Sequence, residues 1–216
     1  MRERPILFSA LMVRAILAGR KTQTRRLVTV PWRGSQRALP YEPYYVDSDG
    51  ELLFCDEYGD YHPIERAHPP YAEVGDRLWV KETHARGTMT GGAPWVRYRA
   101  DVESAHMIAS DGSLIAWRPS IHMPRWASRI TLEVTGVRVE RLQTIGASDA
   151  QAEGVDARLD LATQSFSWLW DSINGKRAAW ASNPWVWVVE FRRVEAADRR
   201  SWQTSANESA ESGKGA

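Results

Sequence analysis

The chain has 216 residues, enough for one domain with insertions or at most two small ones, and its 43% hydrophobic and 25% charged content matches a soluble globular protein. Lys and Arg number 28 against 27 Asp and Glu, a net charge of +1 that argues against a general polyanion binder but permits a local basic patch. A lone cysteine, Cys55, excludes an internal disulfide and fits a reducing compartment. No run approaches the roughly 18 apolar residues of a membrane span, and Met1-Arg2-Glu3-Arg4 leads into too short an apolar stretch for a signal peptide. A soluble cytoplasmic protein that does not enter a membrane is expected.

Residues 5–30 read as strand, helix, strand. In the helix Leu11, Ala15 and Ala18 fall at i, i+4 and i+7, with Met12, Ile16 and Leu17 widening the apolar face, and Gly19 supplies the positive φ that ends it. From Gln23 the chain is extended, with Gln23, Arg25 and Leu27 on one side and Thr24 and Arg26 on the other. Residues 31–72 are broken by prolines and scattered with tyrosines, which marks an insertion; Tyr44-Tyr45-Val46 and Glu51-Leu52-Leu53-Phe54 make a hairpin turning at Asp49-Gly50.

Gly75-Asp76 feeds an alternating strand with Leu78 and Val80 on one face and Arg77, Trp79 and Lys81 on the other, ending at Glu82. Residues 83–116 read as loops around one short strand, Trp95–Arg99, a second insertion. The proline-bracketed loop 117–126 holds Trp117, His122, Arg125 and Trp126. The clearest strand runs from Arg129 to Glu140 in strict alternation. Ser148 opens a helix that stops at Gly154, a second helix covers Thr163–Ser172, and Trp185–Phe191 is a strongly apolar final strand. The domain closes near residue 196, and the polar, Gly- and Ser-rich residues 197–216 are expected to be disordered. Strands outnumber helices and no parallel βαβ unit is evident, so the expected fold is α+β, a mixed and largely antiparallel β-barrel with a few packed helices.

The densest chemistry lies in Arg20-Lys21-Thr22-Gln23-Thr24-Arg25-Arg26. A lysine beside a hydroxyl serves nucleophilic catalysis if the ammonium loses its proton, and neighbouring arginines with partial burial push a lysine pKa down. On composition alone this string is a weak signal, and a basic turn followed by ordinary strand residues is the simpler reading. Glu153 is a candidate acid or electrostatic partner, with Glu73 and Glu82 as competing carboxylates. Trp79, Trp117 and Trp126 are candidates to stack a base. Cys55, His62 and His68 match no zinc spacing, His84, His106 and His122 are scattered, and no Walker glycine loop or G-x-S-x-G elbow occurs, so no metal and no cofactor are expected.

Ile16-Leu17-Ala18-Gly19-Arg20-Lys21-Thr22-Gln23-Thr24-Arg25-Arg26 resembles the signature of the ASCH domain family, whose fold is a PUA-like β-barrel. The strand Gly75–Glu82, the loop Arg118–Arg129 and the helix Ala147–Gly154 carry the resemblance further, toward longer ASCH proteins of phage and prophage type. Small bacterial members are amidohydrolases that remove acyl groups from N4-acetylcytidine and related N4-acylated cytosine nucleosides. The resemblance implies Lys21 as general base, Thr24 as nucleophile and Glu153 as partner of the leaving nitrogen. Arg26 then serves the oxyanion or the base carbonyl, and Trp79, Glu82, His122 and Arg125 are the other candidates to contact substrate. The chain is about twice the length of the small enzymes, and its insertions at 31–72 and 83–116 either widen the pocket or close it. The implied partner is a small modified nucleoside, with RNA a second candidate; the alternative reading is a PUA-like RNA-binding module or a ribonuclease.

Overall fold

The apolar start of the chain forms β1 (Glu3–Leu7) and passes at once into α1 (Ala10–Leu17). Ser9 caps α1, its hydroxyl accepting from Met12 N at 3.4 Å. Gly19 closes the helix at φ +72°, and the next two N–H groups, of Arg20 and Lys21, bond back to the Ala15 carbonyl. The computed structural model describes residues 1–28, 73–88, 94–102 and 115–194, together with the backbone of short strands within 29–63.

The further elements are β2 (Gln23–Leu27), β3 (Thr29–Trp32), β4 (Ser35–Ala38), β5 (Tyr44–Val46), β6 (Leu52–Cys55), β7 (Tyr61–Pro63), β8 (Arg77–Lys81), β9 (His84–Thr88) and β10 (Pro94–Tyr98). Three 3-10 turns stand among the described residues between β10 and β11 (Thr131–Arg141), which is followed by α2 (Ala147–Ala152), α3 (Ala162–Asn174) and β12 (Trp185–Arg193). Five strands make one sheet in the order β1-β8-β11-β12-β2, with β1 and β8 parallel and every other neighbouring pair antiparallel. The protein is therefore α+β with mostly antiparallel pairing.

Period-two alternation divides the sheet's side chains between two cores. On one face Ile6, Leu78, Val80, Leu132, Val134, Val189 and Phe191 pack with Phe8 and with Val13 and Ile16 of α1. On the other, Val186 and Val188 pack with Leu142, Ala150 of α2, and Ala162, Phe166 and Trp170 of α3. Thr24 lies opposite Val189 and Arg25 opposite Val188, so consecutive residues of β2 look toward different cores.

Several expectations need correction. The barrel is not closed among the described strands: β1 and β2 are the outer strands of an open sheet. Arg26 Nη2 of β2 donates to the Leu7 carbonyl of β1 at 3.2 Å. Residues 83–116 are not loops around one strand, because β9 pairs with β10 as a hairpin. The alternation of β11 is interrupted by a bulge between Val134 and Gly136. The helix expected to begin at or close to Ser148 is α2, with Ser148 its second residue and Gly146 its cap, while α3 runs longer than the apolar spacing suggests. Leu11 and Ala18 face solvent; Val13, Ala15 and Ile16 hold α1 to the sheet. The β5–β6 pairing is as expected, while its turn at Asp49-Gly50, His68, His106 and the tail 197–216 lie outside the described residues.

Leu132 is fully enclosed, whereas Leu11 is 69% exposed. Leu132→Ala is expected to lower unfolding free energy by about 3 kcal/mol and Leu11→Ala by less than about 0.5 kcal/mol, measured by urea denaturation.

Candidate active site

Gly19 turns the chain so that Lys21 enters the interior just before β2 begins. There Lys21 forms an isolated antiparallel bridge with Glu153, and Thr22 N donates to the Ala152 carbonyl at 2.9 Å. Glu153 is the last residue before Gly154, which holds φ +89°. A Cβ at Gly154 would stand 2.9 Å from Ala15 Cβ and 3.0 Å from Lys21 Cβ, so the close approach of α1, Lys21 and the end of α2 requires glycine.

Lys21 is 2% exposed and Glu153 3%. Lys21 Nζ donates to the carbonyls of Gln23 and Glu153 and to Glu153 Oε2, each at 2.8 Å. Three acceptors match the three donors of an ammonium. Burial works against that charge and, with Arg26 and Arg25 nearby, holds the Lys21 pKa below the ordinary 10.5 in spite of Glu153, which raises it. Glu153 is shared: its Oε1 accepts from Arg25 Nη1 at 3.2 Å. Arg25 also donates to Glu140 at 2.5 Å and Asp149 at 3.0 Å. Arg138 reaches the same Glu140 and Asp149 and bonds Glu190. One charge network thus ties β2, β11, β12 and α2 together. Arg20, by contrast, pairs with Asp156 at the surface, where an ion pair contributes little.

Thr24 has no exposed surface. Its Oγ1 accepts from Arg26 Nη1 at 2.6 Å, consistent with the shared strand face expected from sequence. Lys21 directs its three bonds elsewhere, so the resting geometry consists of two pairs, Lys21 with Glu153 and Thr24 with Arg26. Phe8 joins them: its ring centroid lies 5.6 Å from Lys21 Nζ and 5.4 Å from Arg26 Cζ.

The remaining candidates lie apart from these pairs. Trp79 is on the sheet face opposite Leu78 and Val80, with Lys81 Nζ at 5.5 Å and Arg125 Cζ at 5.7 Å from its ring. Arg125 is clamped by both oxygens of Glu3, at 3.0 and 2.6 Å. Glu82 is buried and takes Arg129 through two bonds, at 2.9 and 3.1 Å; burial pushes its pKa up against that guanidinium. His122 is exposed in the 117–126 loop. A described cleft of about 710 Å³ is lined by Ala147, Arg158, Leu159 and Asp160 and holds none of the candidates.

Asp149 and Phe8 were not singled out by sequence, and Arg25 was read only as one of the charges that lower the Lys21 pKa, as it does. Asp149 and Glu153 are four residues apart at one helix and its cap, and Arg25 alternates away from Thr24, so the carboxylate pair facing one arginine is the signal that could have found them. Comparison with protein-family models, curated proteins and solved structures gives no match for the chain. Among the described residues no helix is long and apolar enough to cross a membrane.

Glu153→Gln leaves Lys21 and Arg25 buried without the carboxylate between them, an expected loss of about 3–5 kcal/mol. Lys21→Met keeps the Arg25–Glu153 pair and costs less. Since the native Lys21 pKa lies below the unfolded 10.5, the unfolded chain binds more protons between those two values. The lysine's contribution to stability is therefore lowest below its native pKa and rises with pH through that window. Urea unfolding at stepped pH should show that rise in the wild type and lose it in Lys21→Met.

Proposed function

We propose that the chain is an N4-acylcytidine amidohydrolase on a PUA-like fold, with Lys21, Thr24 and Glu153 as its reacting groups. The observation that carries the reading is a buried lysine with a depressed pKa, 2.8 Å from a buried carboxylate, beside a strand whose threonine hydroxyl accepts from an arginine at 2.6 Å. A lysine poised to lose its proton, an enclosed hydroxyl and a cation at that hydroxyl are the parts that acyl transfer needs. The barrel-like half of the proposal rests on Arg26 of β2 reaching the Leu7 carbonyl of β1, a side-chain contact between the two outer strands of the sheet.

In this reading the acyl carbonyl enters as Arg26 turns its guanidinium from Thr24 Oγ1 to the carbonyl oxygen. Lys21 gives up one of its acceptors and, as the neutral amine, takes the Thr24 hydroxyl proton while Oγ1 bonds to the carbonyl carbon. Arg26 holds the oxyanion. The C–N4 bond then breaks, N4 takes the proton back from Lys21, and the exocyclic amine of cytidine leaves. Water, deprotonated by Lys21, attacks the acyl carbon; the ester C–Oγ1 bond breaks, Lys21 returns the proton to Thr24 Oγ1, and the acid leaves as the carboxylate with its proton lost to solvent. Glu153, fixed by Arg25, orients Lys21 through each proton transfer and aligns the leaving nitrogen. The reaction calls for no cofactor.

An absorbance assay on a panel of N4-acylcytidines tests this, because deacylation changes the chromophore. Lys21→Ala is expected to lower kcat/KM by about 10²–10⁴-fold and Thr24→Ala by at least as much, with circular dichroism unchanged. Full activity in both variants would remove the site assignment, and a wild-type protein inert on every acyl group would remove the function.

A further inference from the structure

Phe8 is the first residue past β1, and its N–H donates to the Lys81 carbonyl at 3.1 Å, which holds it in line with the sheet. It is 2% exposed and packs in the core with Val13 and Ile16 of α1 and with Val80 and Val189 of the sheet. Its ring faces two cations, with the centroid 5.6 Å from Lys21 Nζ and 5.4 Å from Arg26 Cζ. Among the described residues it is the one ring in such contact with both. The proposed proton transfers give it no part, since it has no polar side-chain atom.

The surroundings of Thr24 are filled. Thr24 has no exposed surface, and the Lys21 beside it is as buried as Phe8. Lys21 Nζ is held by three acceptors at 2.8 Å, and Thr24 is fixed in the β2–β12 ladder opposite Val189. Arg26 is half-buried and reaches the carbonyl of Leu7, an exposed residue at the edge of the sheet. Of the groups around the hydroxyl, Arg26 therefore borders solvent and Phe8 borders the core.

We propose that Phe8 seats the alkyl end of the acyl group and so restricts the protein to short acyl chains, formyl and acetyl. The assignment rests on the proposed reaction and names the substrate class within it. The carbonyl oxygen goes to Arg26 and the departing cytosine lies toward solvent, which leaves the alkyl end to turn inward onto the uncharged face shared by Lys21 and Arg26. A methyl group fits against that ring. A longer chain must displace Phe8 from a close-packed core, where Phe191 at 6.1 Å and the side chains of α1 hold it. A hydrophobic pocket separates substrates that differ by one methylene by about 10–200-fold. A chain that turned outward beside Arg26 would meet no such limit.

Values of kcat/KM for N4-acetyl-, N4-butyryl- and N4-benzoylcytidine, measured on wild type, Phe8→Leu, Phe8→Ala and Leu132→Ala, test the assignment as ratios, which do not depend on how much of each preparation is folded. The wild type should lose about tenfold or more from acetyl to butyryl and at least as much again to benzoyl. Phe8→Ala should raise the benzoyl-to-acetyl ratio by roughly 100-fold, and Phe8→Leu the butyryl-to-acetyl ratio by about tenfold. Leu132→Ala opens the same core opposite Arg193, four residues along β12 from Val189, and should leave the ratios as in wild type. If circular dichroism shows Phe8→Ala unfolded, Phe8→Leu decides alone. Wild-type hydrolysis of benzoyl as fast as acetyl, ratios unmoved by the folded Phe8 variants, or an equal shift in Leu132→Ala would overturn the seat while turnover of N4-acetylcytidine leaves the reaction standing. A wild type inert on all three would remove the reaction and the seat together.

Discussion

The buried contact of Lys21 with Glu153 is the constraint around which the described structure is arranged. The two residues are 132 positions apart, and burying one charge without the other would cost several kcal/mol. The contact therefore fixes where α2 ends relative to the entry of β2. Its backbone half, the Lys21–Glu153 bridge and the Thr22 bond to Ala152, leaves no room for a side chain at Gly154. Arg25 completes it from the opposite side, giving Glu153 a second cation and carrying the network on to Glu140 and Asp149.

The same burial that makes the contact costly makes it chemically useful. Desolvation outweighs the carboxylate and lowers the Lys21 pKa, with Arg25 and Arg26 acting in the same direction. Arg26 has a second task in the proposed reaction, because it stands on the Thr24 hydroxyl and on the edge of β1 at once. In the resting geometry the lysine is turned to Glu153 and the threonine to Arg26, so the proposed reaction requires that substrate entry, through movement of Arg26, bring the two together.

Local features of this arrangement were legible in sequence. The Gly19 stop, the two-sided pattern of β2, the helix ending at Gly154 and the alternation of β8 each follow from periodicity and backbone freedom over a few residues. What sequence withheld depends on partners far along the chain. The side of α1 that is buried was misread because Leu11 and Val13 are equally apolar and only the sheet's position chooses between them. β9 was missed because His84-Ala85-Arg86-Gly87-Thr88 has little strand character and is held extended by β10. The convergence of Lys21 with Glu153 came from the family resemblance; the charge of Arg25 beside Lys21 was legible in sequence, but its bonds to Glu153, Glu140 and Asp149 came only from the coordinates. The open sheet also differs from the closed barrel expected, since no local pattern records whether β1 and β2 pair.

The central claim concerns the chemistry itself, that Thr24 carries the acyl group while Lys21 moves protons. Acid-quenching the wild-type protein during turnover of N4-acetylcytidine, followed by peptide mass spectrometry, tests this directly. The account predicts one acetyl group on the peptide containing Thr24, localised to its hydroxyl and absent from Thr24→Ala. Cytidine release with no acylated residue, or acetylation of Lys21 in place of Thr24, would contradict it.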